Sequence, residues 1–157
     1  MTLEEEIVSL LKKYQYTITT AESCTGGLVA ATLINVSGVS SFLKEAYITY
    51  SNEAKEKLLG VKKEILEQYT VVSAETAEAM ALGGAKAAGT DICVSVTGIA
   101  GPDGGTKEQP VGLVYIGCVC KESVKTKRFV FEGDRQSVRN QAVKEALLFV
   151  KEMLKKE

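Results

Sequence analysis

Short segments rich in β-branched residues alternate along this chain with longer segments of helical periodicity, and this alternation limits the fold more than any other feature. Residues 16–20 and 46–50 are predicted strands between predicted helices, and residues 91–97 are a predicted strand that follows a helix. A longer apolar segment, 112–120, is followed after a short charged turn by residues 124–131, which is the pattern of an antiparallel hairpin. Alternating strands and helices form a sheet covered on both faces. We therefore predict an α/β fold, a three-layer α/β/α sandwich around a mixed, mostly parallel five-stranded sheet.

Helix signals occupy the gaps between the strands. Thr2 and Glu5 form a capping box before a helix over about residues 3–14. Ser73 precedes an alanine-rich helix over 74–88, and Asp134 caps a last helix that runs nearly to the end of the chain. The other predicted helices cover about residues 25–35, the EAKEKLL segment up to Gly60, and residues 63–69. With no repeat or internal boundary, residues 1–157 are predicted to form one domain.

Composition and charge exclude several classes of partner. The net charge is −1, lysine and arginine are scattered, and there is no tryptophan, so we expect no nucleic-acid groove. Three of the first six residues are glutamate, which is wrong for a signal or transit peptide. No apolar run approaches the roughly 18 residues that span a membrane. The expectation is a cytoplasmic protein without a membrane partner.

The four cysteines do not form a metal site by spacing. Cys24, Cys93, Cys118 and Cys120 contain no CxxC pair, and the chain has no histidine. A zinc site would need all four thiolates in an unusual arrangement. We predict free, buried, reduced thiols and no metal.

The stretch TAESCTGGL at residues 20–28 joins a predicted strand to a predicted helix and allows three interpretations of Ser23. The serine could cap the helix, act as a nucleophile beside unpaired N–H groups at the helix start, or belong to a phosphate-binding turn. The third is weakly supported, because neither GxxxxGK[ST] nor GxGxxG occurs. Cys24 is an alternative nucleophile, since thiolates are stabilised at helix N-termini.

A nucleophilic serine needs a base, and the absence of histidine excludes a Ser-His-Asp triad. The SFLK segment at residues 41–44 has SxxK spacing but lacks a glycine-flanked nucleophile. In YSNEAK, Tyr50 ends a predicted strand and Lys55 lies in the first turns of the next helix. A helical lysine is normally a solvated surface charge, so position alone leaves both interpretations of Lys55 open.

Two arginines follow Asp134 at the start of the last helix. Arg135 and Arg139 are four residues apart and share one helical face near its positive end, which suits a phosphate or carboxylate. A surface ion pair with Asp134 is the alternative.

Four motifs in order resemble the CinA C-terminal domain family, which includes the nicotinamide-nucleotide amidohydrolases. They are TAESCTGG at 20–27, TYSNEAKEKLLGV at 49–61, VSVTGIAGPDGGT at 94–106 with PVG at 110–112, and FEGDRQSVR at 131–139. The resemblance covers about residues 5–152 and is closest to the stand-alone form of the family.

The resemblance implies hydrolysis of nicotinamide mononucleotide (NMN) to nicotinate mononucleotide and ammonia, without a cofactor. Ser23 matches the family nucleophile, and Lys55 and Tyr50 match the residues that assist it. Thr97, Gly98, Ala100 and Gly101 match a pocket-lining segment, and Arg135 matches the arginine of the GDR motif. Beyond the motif matches, we expect backbone N–H groups of Thr25, Gly26 and Gly27 to hold an oxyanion, and Arg135 and Arg139 to bind the phosphate.

The resemblance also implies a homodimer. The competing interpretation is a non-catalytic module that binds a pyridine nucleotide, in which the same motifs form a ligand cage and Ser23 is only a cap.

Overall fold

Six α-helices, one 3₁₀ turn and five strands make up the structure, a computed structural model that describes residues 1–157. The strands are β1 (Ile18–Glu22), β2 (Tyr47–Ile48), β3 (Ile92–Gly98), β4 (Leu113–Cys120) and β5 (Ser123–Val130). The helices are α1 (Leu3–Tyr14), α2 (Leu28–Ile34), α3 (Asn52–Leu59), α4 (Lys63–Tyr69), α5 (Ala74–Ala88) and α6 (Arg135–Lys155). None of the helices combines the length and the apolar character that crossing a bilayer requires.

The strands form one mixed sheet in the order β2-β1-β3-β4-β5. Strand β1 is parallel to both of its neighbours, whereas β3, β4 and β5 are successively antiparallel, so four of the five strands run in one direction. Glu22 at the end of β1 pairs with Ile48 on one side and Val96 on the other. The loops after β1, β2 and β3 therefore leave the sheet at one edge, where ligands bind in sheets of this type.

Helices cover both faces of the sheet and confirm the predicted three-layer α/β/α sandwich. Helices α1, α2 and α6 pack on one face, and α3, α4 and α5 lie on the other. Side chains of β3 alternate between the two layers: Ile92, Val94 and Val96 enter the larger apolar core, and Cys93 enters the smaller one. The sheet therefore separates a larger apolar core from a smaller one.

Most helix ends lie where their capping residues predict them. The capping box of Thr2 and Glu5 is formed, and the hydroxyls of Ser51 and Ser73 each accept an N–H at the start of α3 and α5. Asp134 accepts the N–H of Ser137 in the first turn of α6. A capping residue and its N–H partner are about three positions apart, so the bond between them depends little on the rest of the fold.

The segment around β1 differs from the prediction. The strand covers Ile18–Glu22 rather than 16–20, and α2 begins at Leu28 rather than Thr25. Gly26 and Gly27 adopt left-handed conformations, with φ of 58° and 99°, which a helix cannot contain. Residues 23–27 thus form a separate turn between strand and helix, called the nucleophile turn below.

Candidate active site

Ser23 opens the nucleophile turn and does not cap α2. Its N–H donates to the carbonyl of Val96 at 3.0 Å, which continues the pairing of β1 with β3 by one residue. The N-cap of α2 is Gly27, four residues later, and it provides no side-chain cap. The helix-cap interpretation of Ser23 is therefore wrong, and its largely buried hydroxyl is free for another role.

Glu22 takes over the capping of α2, a role that the sequence did not reveal. Its fully buried carboxylate accepts the N–H groups of Val29 and Ala30 at 2.8 and 3.1 Å. It also accepts the hydroxyls of Thr20 and Thr25 at 2.9 and 2.7 Å. Four donors and the positive helix end satisfy the buried charge. The available signal was an acidic residue at the end of an apolar strand, before a helix with no cap of its own.

Lys55 is the largest fully buried side chain in the protein. It belongs to α3, where the sequence alone would place a lysine on the surface. Its Nζ donates to the Thr49 carbonyl at 2.8 Å and lies 3.2 Å from Ser23 Oγ. No carboxylate forms an ion pair with it. Burial lowers the pKa of Lys55 from 10.5 to about 8, because the charged form loses its hydration.

This arrangement suits proton transfer between Ser23 and Lys55. A neutral amine can donate one N–H to the Thr49 carbonyl while its lone pair accepts the Ser23 hydroxyl proton. The distance of 3.2 Å between Nζ and Oγ lies at the upper end of the hydrogen-bond range for a base and a nucleophile. With a pKa of about 8, a useful fraction of the lysine is neutral near physiological pH.

The nucleophile turn leaves two of the three predicted oxyanion donors free. The N–H of Gly26 donates to the Ser23 carbonyl at 3.0 Å, so this expected oxyanion donor is already occupied. The N–H groups of Cys24, Thr25 and Gly27 have no acceptor within the protein. The N–H groups of Thr25 and Gly27 therefore remain available to an oxyanion as predicted, and that of Cys24 is available in place of Gly26.

A cavity of about 280 Å³ lies at the carboxyl edge of the sheet and contains the Ser23–Lys55 pair. Its volume is near the lower limit for small-molecule sites. A larger depression of about 620 Å³ lies at the opposite end of β3, beside Asp91 and Lys121. Its Cys120 thiol donates to the Glu157 carboxylate at 3.2 Å, but burial and this carboxylate raise the pKa of Cys120 to about 12, so the thiolate is scarce there. The lining of the smaller cavity consists of Ser23, Cys24, Tyr50, Lys55, Val71, Val72, Thr97–Gly101, Asp103, Gly104 and Arg135. It is the candidate active site.

The end of β3 and the loop after it form one wall of this cavity, as their motif suggests. Thr97, Gly98, Ala100 and Gly101 all line it. The Thr97 hydroxyl is turned away from solvent and donates to the Val71 carbonyl at 2.9 Å, which holds the neighbouring wall in place. The pocket-lining residues predicted from the motif ended at Gly101 and did not include Asp103 and Gly104. Val71 and Val72, from a segment with no motif, were also missed.

Tyr50 and Arg135 meet at the mouth of the cavity. The Arg135 guanidinium donates to the Tyr50 hydroxyl at 3.0 Å and to the Gly101 carbonyl at 2.9 Å. Tyr50 is 64% exposed and makes no hydrogen bond with Lys55 or Ser23. A direct proton relay through Tyr50 is therefore not formed in this structure.

Arg139 does not line the cavity. Its Nε donates to the Cys24 carbonyl at 2.8 Å and its Nη2 to the Thr25 carbonyl at 3.2 Å. Thr25, Gly26 and Gly27 also lie outside the lining. The two arginines that the sequence grouped on one helical face thus point to different targets, because the nucleophile turn lies between Arg139 and the cavity wall.

Cys24 lines the cavity beside Ser23, and all four cysteines are free and buried, as predicted. Burial raises the pKa of the Cys24 thiol to about 11, so the thiolate is scarce at neutral pH.

We expect Cys24→Ala to retain the activity of the parent within about threefold, measured as kcat/KM. A loss comparable to that of Ser23→Ala would instead identify the thiol as the nucleophile.

Comparisons of the sequence and of the structure with known proteins all match one family. The CinA C-terminal domain family matches residues 1–154. A CinA-like protein of Kosmotoga olearia is 57% identical over 152 residues, 97% of this chain, but the chain spans only 37% of that relative. It thus covers a little over a third of the length of the curated relatives it matches.

Solved structures show the same fold. A competence damage-inducible protein from Klebsiella pneumoniae aligns with a TM-score of 0.93 at 37% identity, over 97% of this chain and 94% of its own. A competence/damage inducible protein from Agrobacterium tumefaciens aligns with a TM-score of 0.94 at 35% identity, over 98% and 93% of the two chains.

Proposed function

The chain belongs to the CinA C-terminal domain family, and on that premise we propose that it hydrolyses the carboxamide of NMN to nicotinate mononucleotide and ammonia. Ser23 is the nucleophile and Lys55 the base. The observation that carries the proposal is the buried, unpaired Lys55 amine, 3.2 Å from the Ser23 hydroxyl in a cavity of small-molecule size. A lysine without an ion pair is rarely kept in a protein interior without a function.

Acylation begins when the Ser23 oxygen attacks the carboxamide carbon and its proton passes to Lys55. The N–H group of Cys24, which lines the cavity, and that of Thr25, in the peptide unit that begins at Cys24, stabilise the oxyanion of the tetrahedral intermediate. The Lys55 ammonium then protonates the departing nitrogen, the carbon–nitrogen bond breaks, and ammonia leaves. Lys55 is neutral again after this step, so it can serve once more as a base.

Deacylation repeats the same proton transfers with water as the nucleophile. Lys55 takes a proton from the attacking water, and the ester bond to Ser23 breaks as the proton returns to the serine oxygen. The product leaves as a carboxylic acid, which loses its proton to water or to the released ammonia and becomes the carboxylate, and Ser23 and the neutral Lys55 are restored. Apart from the attacking water, the proton transfers use only Ser23 and Lys55.

A cationic pyridine nucleotide suits the proposed mechanism as the substrate. A pyridinium ring near Lys55 further disfavours the charged lysine and withdraws electrons from the amide carbon. Tyr50 offers an aromatic ring at the mouth, which a cation can contact. Arg135 has donors that remain after its bonds to Tyr50 and Gly101, and these suit the 5′-phosphate.

Ammonia release from a series of nicotinamide compounds tests the proposal. We expect turnover of NMN and a fall in kcat/KM of about tenfold or more for nicotinamide riboside, which lacks the phosphate. Free nicotinamide should be poorer still. Saturable binding of NMN without ammonia at any pH would favour the binding-module alternative and contradict hydrolysis.

Replacement of Arg135 by glutamine tests the phosphate assignment. A charge-assisted contact contributes about 1.5–3 kcal/mol, so we expect KM for NMN to rise about tenfold or more. The preference for NMN over the riboside should fall by the same factor. Arg128→Gln, at an exposed arginine of β5, removes the same charge elsewhere and is the control. An unchanged preference in Arg135→Gln would show that the phosphate lies elsewhere.

A further inference from the structure

Arg139 contacts the nucleophile turn from the side of α6 and holds two successive carbonyls there. Its Nε and Nη2 donate to the carbonyls of Cys24 and Thr25 at 2.8 and 3.2 Å. No carboxylate forms an ion pair with this guanidinium. Its full charge is therefore directed at the peptide groups of the turn.

The geometry of a trans peptide connects this contact to the opposite side of the turn. In each peptide unit the C=O and N–H bonds point in opposite directions. Because the Cys24 carbonyl faces Arg139, the N–H of Thr25 in the same unit points away from Arg139, and it has no acceptor within the protein. The next unit behaves alike, since its Gly26 N–H points away and reaches the Ser23 carbonyl.

One further hydrogen bond and the glycine at position 26 maintain the orientation of these peptide units. Glu22 binds the Thr25 hydroxyl at 2.7 Å, so Thr25 is held by its side chain as well as by its carbonyl. A Cβ at Gly26 would lie 3.3 Å from Nη2 of Arg139, and φ of Gly26 is +58°. Glycine at this position therefore leaves room for the guanidinium and permits the backbone conformation.

We propose that Arg139 is a positioning residue for the oxyanion site: its hydrogen bonds to the Cys24 and Thr25 carbonyls fix the Thr25 N–H as a donor to the tetrahedral intermediate. The inference rests on the proposed serine mechanism. The positive charge behind the peptides also polarises them and strengthens the N–H as a donor. Arg139 touches no substrate, so its effect is on the transition state rather than on binding.

The predicted signature is a fall in kcat at nearly constant KM. Loss of one oxyanion donor lowers kcat by about 10²–10³-fold, and a misoriented donor should cost part of that, so we expect about 30-fold or more for Arg139→Gln. Arg139→Lys keeps the positive charge but lacks the planar guanidinium that donates to both carbonyls, so its kcat should fall between those of the parent and Arg139→Gln. KM for NMN should stay within about threefold, in contrast to Arg135→Gln. Lys144→Gln removes an exposed charge from the same helix and is the control.

A fluorophosphonate probe separates this inference from the proposed substrate. The probe phosphonylates an activated serine through a similar anionic intermediate, and its rate of labelling at Ser23 does not depend on NMN. We expect labelling of Arg139→Gln to slow by about tenfold or more, while thermal unfolding shows a folded protein. If the parent protein released no ammonia from NMN but this slowing were seen, the substrate would be wrong and the positioning role would stand.

Two results would overturn the inference. One is a kcat and labelling rate in folded Arg139→Gln within about twofold of the parent. The other is a rise in KM with kcat unchanged, which would show that Arg139 contributes to substrate binding instead. Should Arg139→Gln not fold, Arg139→Lys decides by the same two measurements, because it retains the charge and most of the length.

Discussion

Replacement of Ser23 by alanine is expected to lower kcat for NMN by about 10⁴-fold or more, because no covalent intermediate can form. Binding of NMN should persist within about threefold in its dissociation constant, since the change removes one oxygen from a cavity with many other contacts. Ammonia release gives the first quantity, and calorimetric titration of the variant gives the second. Reduced turnover with retained binding is the signature of a nucleophile.

Ser41→Ala is a matched control for this substitution. Ser41 is exposed and belongs to the SFLK segment, the other serine–lysine pair with suggestive spacing. In the structure the Lys44 amine donates to the Ser40 carbonyl at 2.7 Å rather than to Ser41. Ser41→Ala should keep full activity. Turnover in Ser23→Ala close to that of the parent would remove the serine mechanism altogether.

Replacement of Lys55 by methionine or arginine should lower kcat by about 10³-fold or more, because neither side chain can accept the Ser23 proton near neutral pH. For the parent, log kcat/KM should rise with pH at a slope of one and level off above a pKa of about 8, since only the neutral amine is active. Lys57→Met, at an exposed position on the same helix, is the control for both measurements. Substantial activity in Lys55→Arg would exclude a neutral-base role.

Replacement of Lys55 by methionine should also stabilise the fold. The pKa of Lys55 is about 8 when folded against 10.5 for an ordinary lysine, so the unfolded state binds more protons between these values and the free energy of unfolding rises with pH there. Below pH 8 the buried amine costs about 3 kcal/mol. Methionine removes this cost but leaves the Thr49 carbonyl without its donor, at about 1 kcal/mol.

We therefore expect Lys55→Met to raise the free energy of unfolding by about 2 kcal/mol at about pH 7, and by less at about pH 10. Urea denaturation at the two pH values measures this difference. Equal or lower stability of Lys55→Met at the lower pH would mean that the amine is not held under a desolvation cost. A base that destabilises its own fold would be consistent with retention for catalysis rather than for packing.

Helix ends and most strands were predictable from short segments of sequence. Ser73 and Gly89 bracket α5 at the predicted bounds, and Asp134 begins α6, because a cap depends on residues three or four positions away. The nucleophile turn was less predictable. Apolar residues after Gly27 suggested a helix from Thr25, but two left-handed glycines delay its start.

The motifs also identified most of the cavity wall, yet they could not show the state of its lysine. In sequence, Lys55 resembles a solvated residue of a surface helix. Only the tertiary structure, in which α3 packs against α5, buries it beside Ser23. That contact spans 32 residues, and the contact of Arg139 with Cys24 spans 115. Periodicity and capping report on neighbours within one or two turns, whereas burial, and with it the shifted pKa and the target of each arginine, arises when distant segments meet and exclude water.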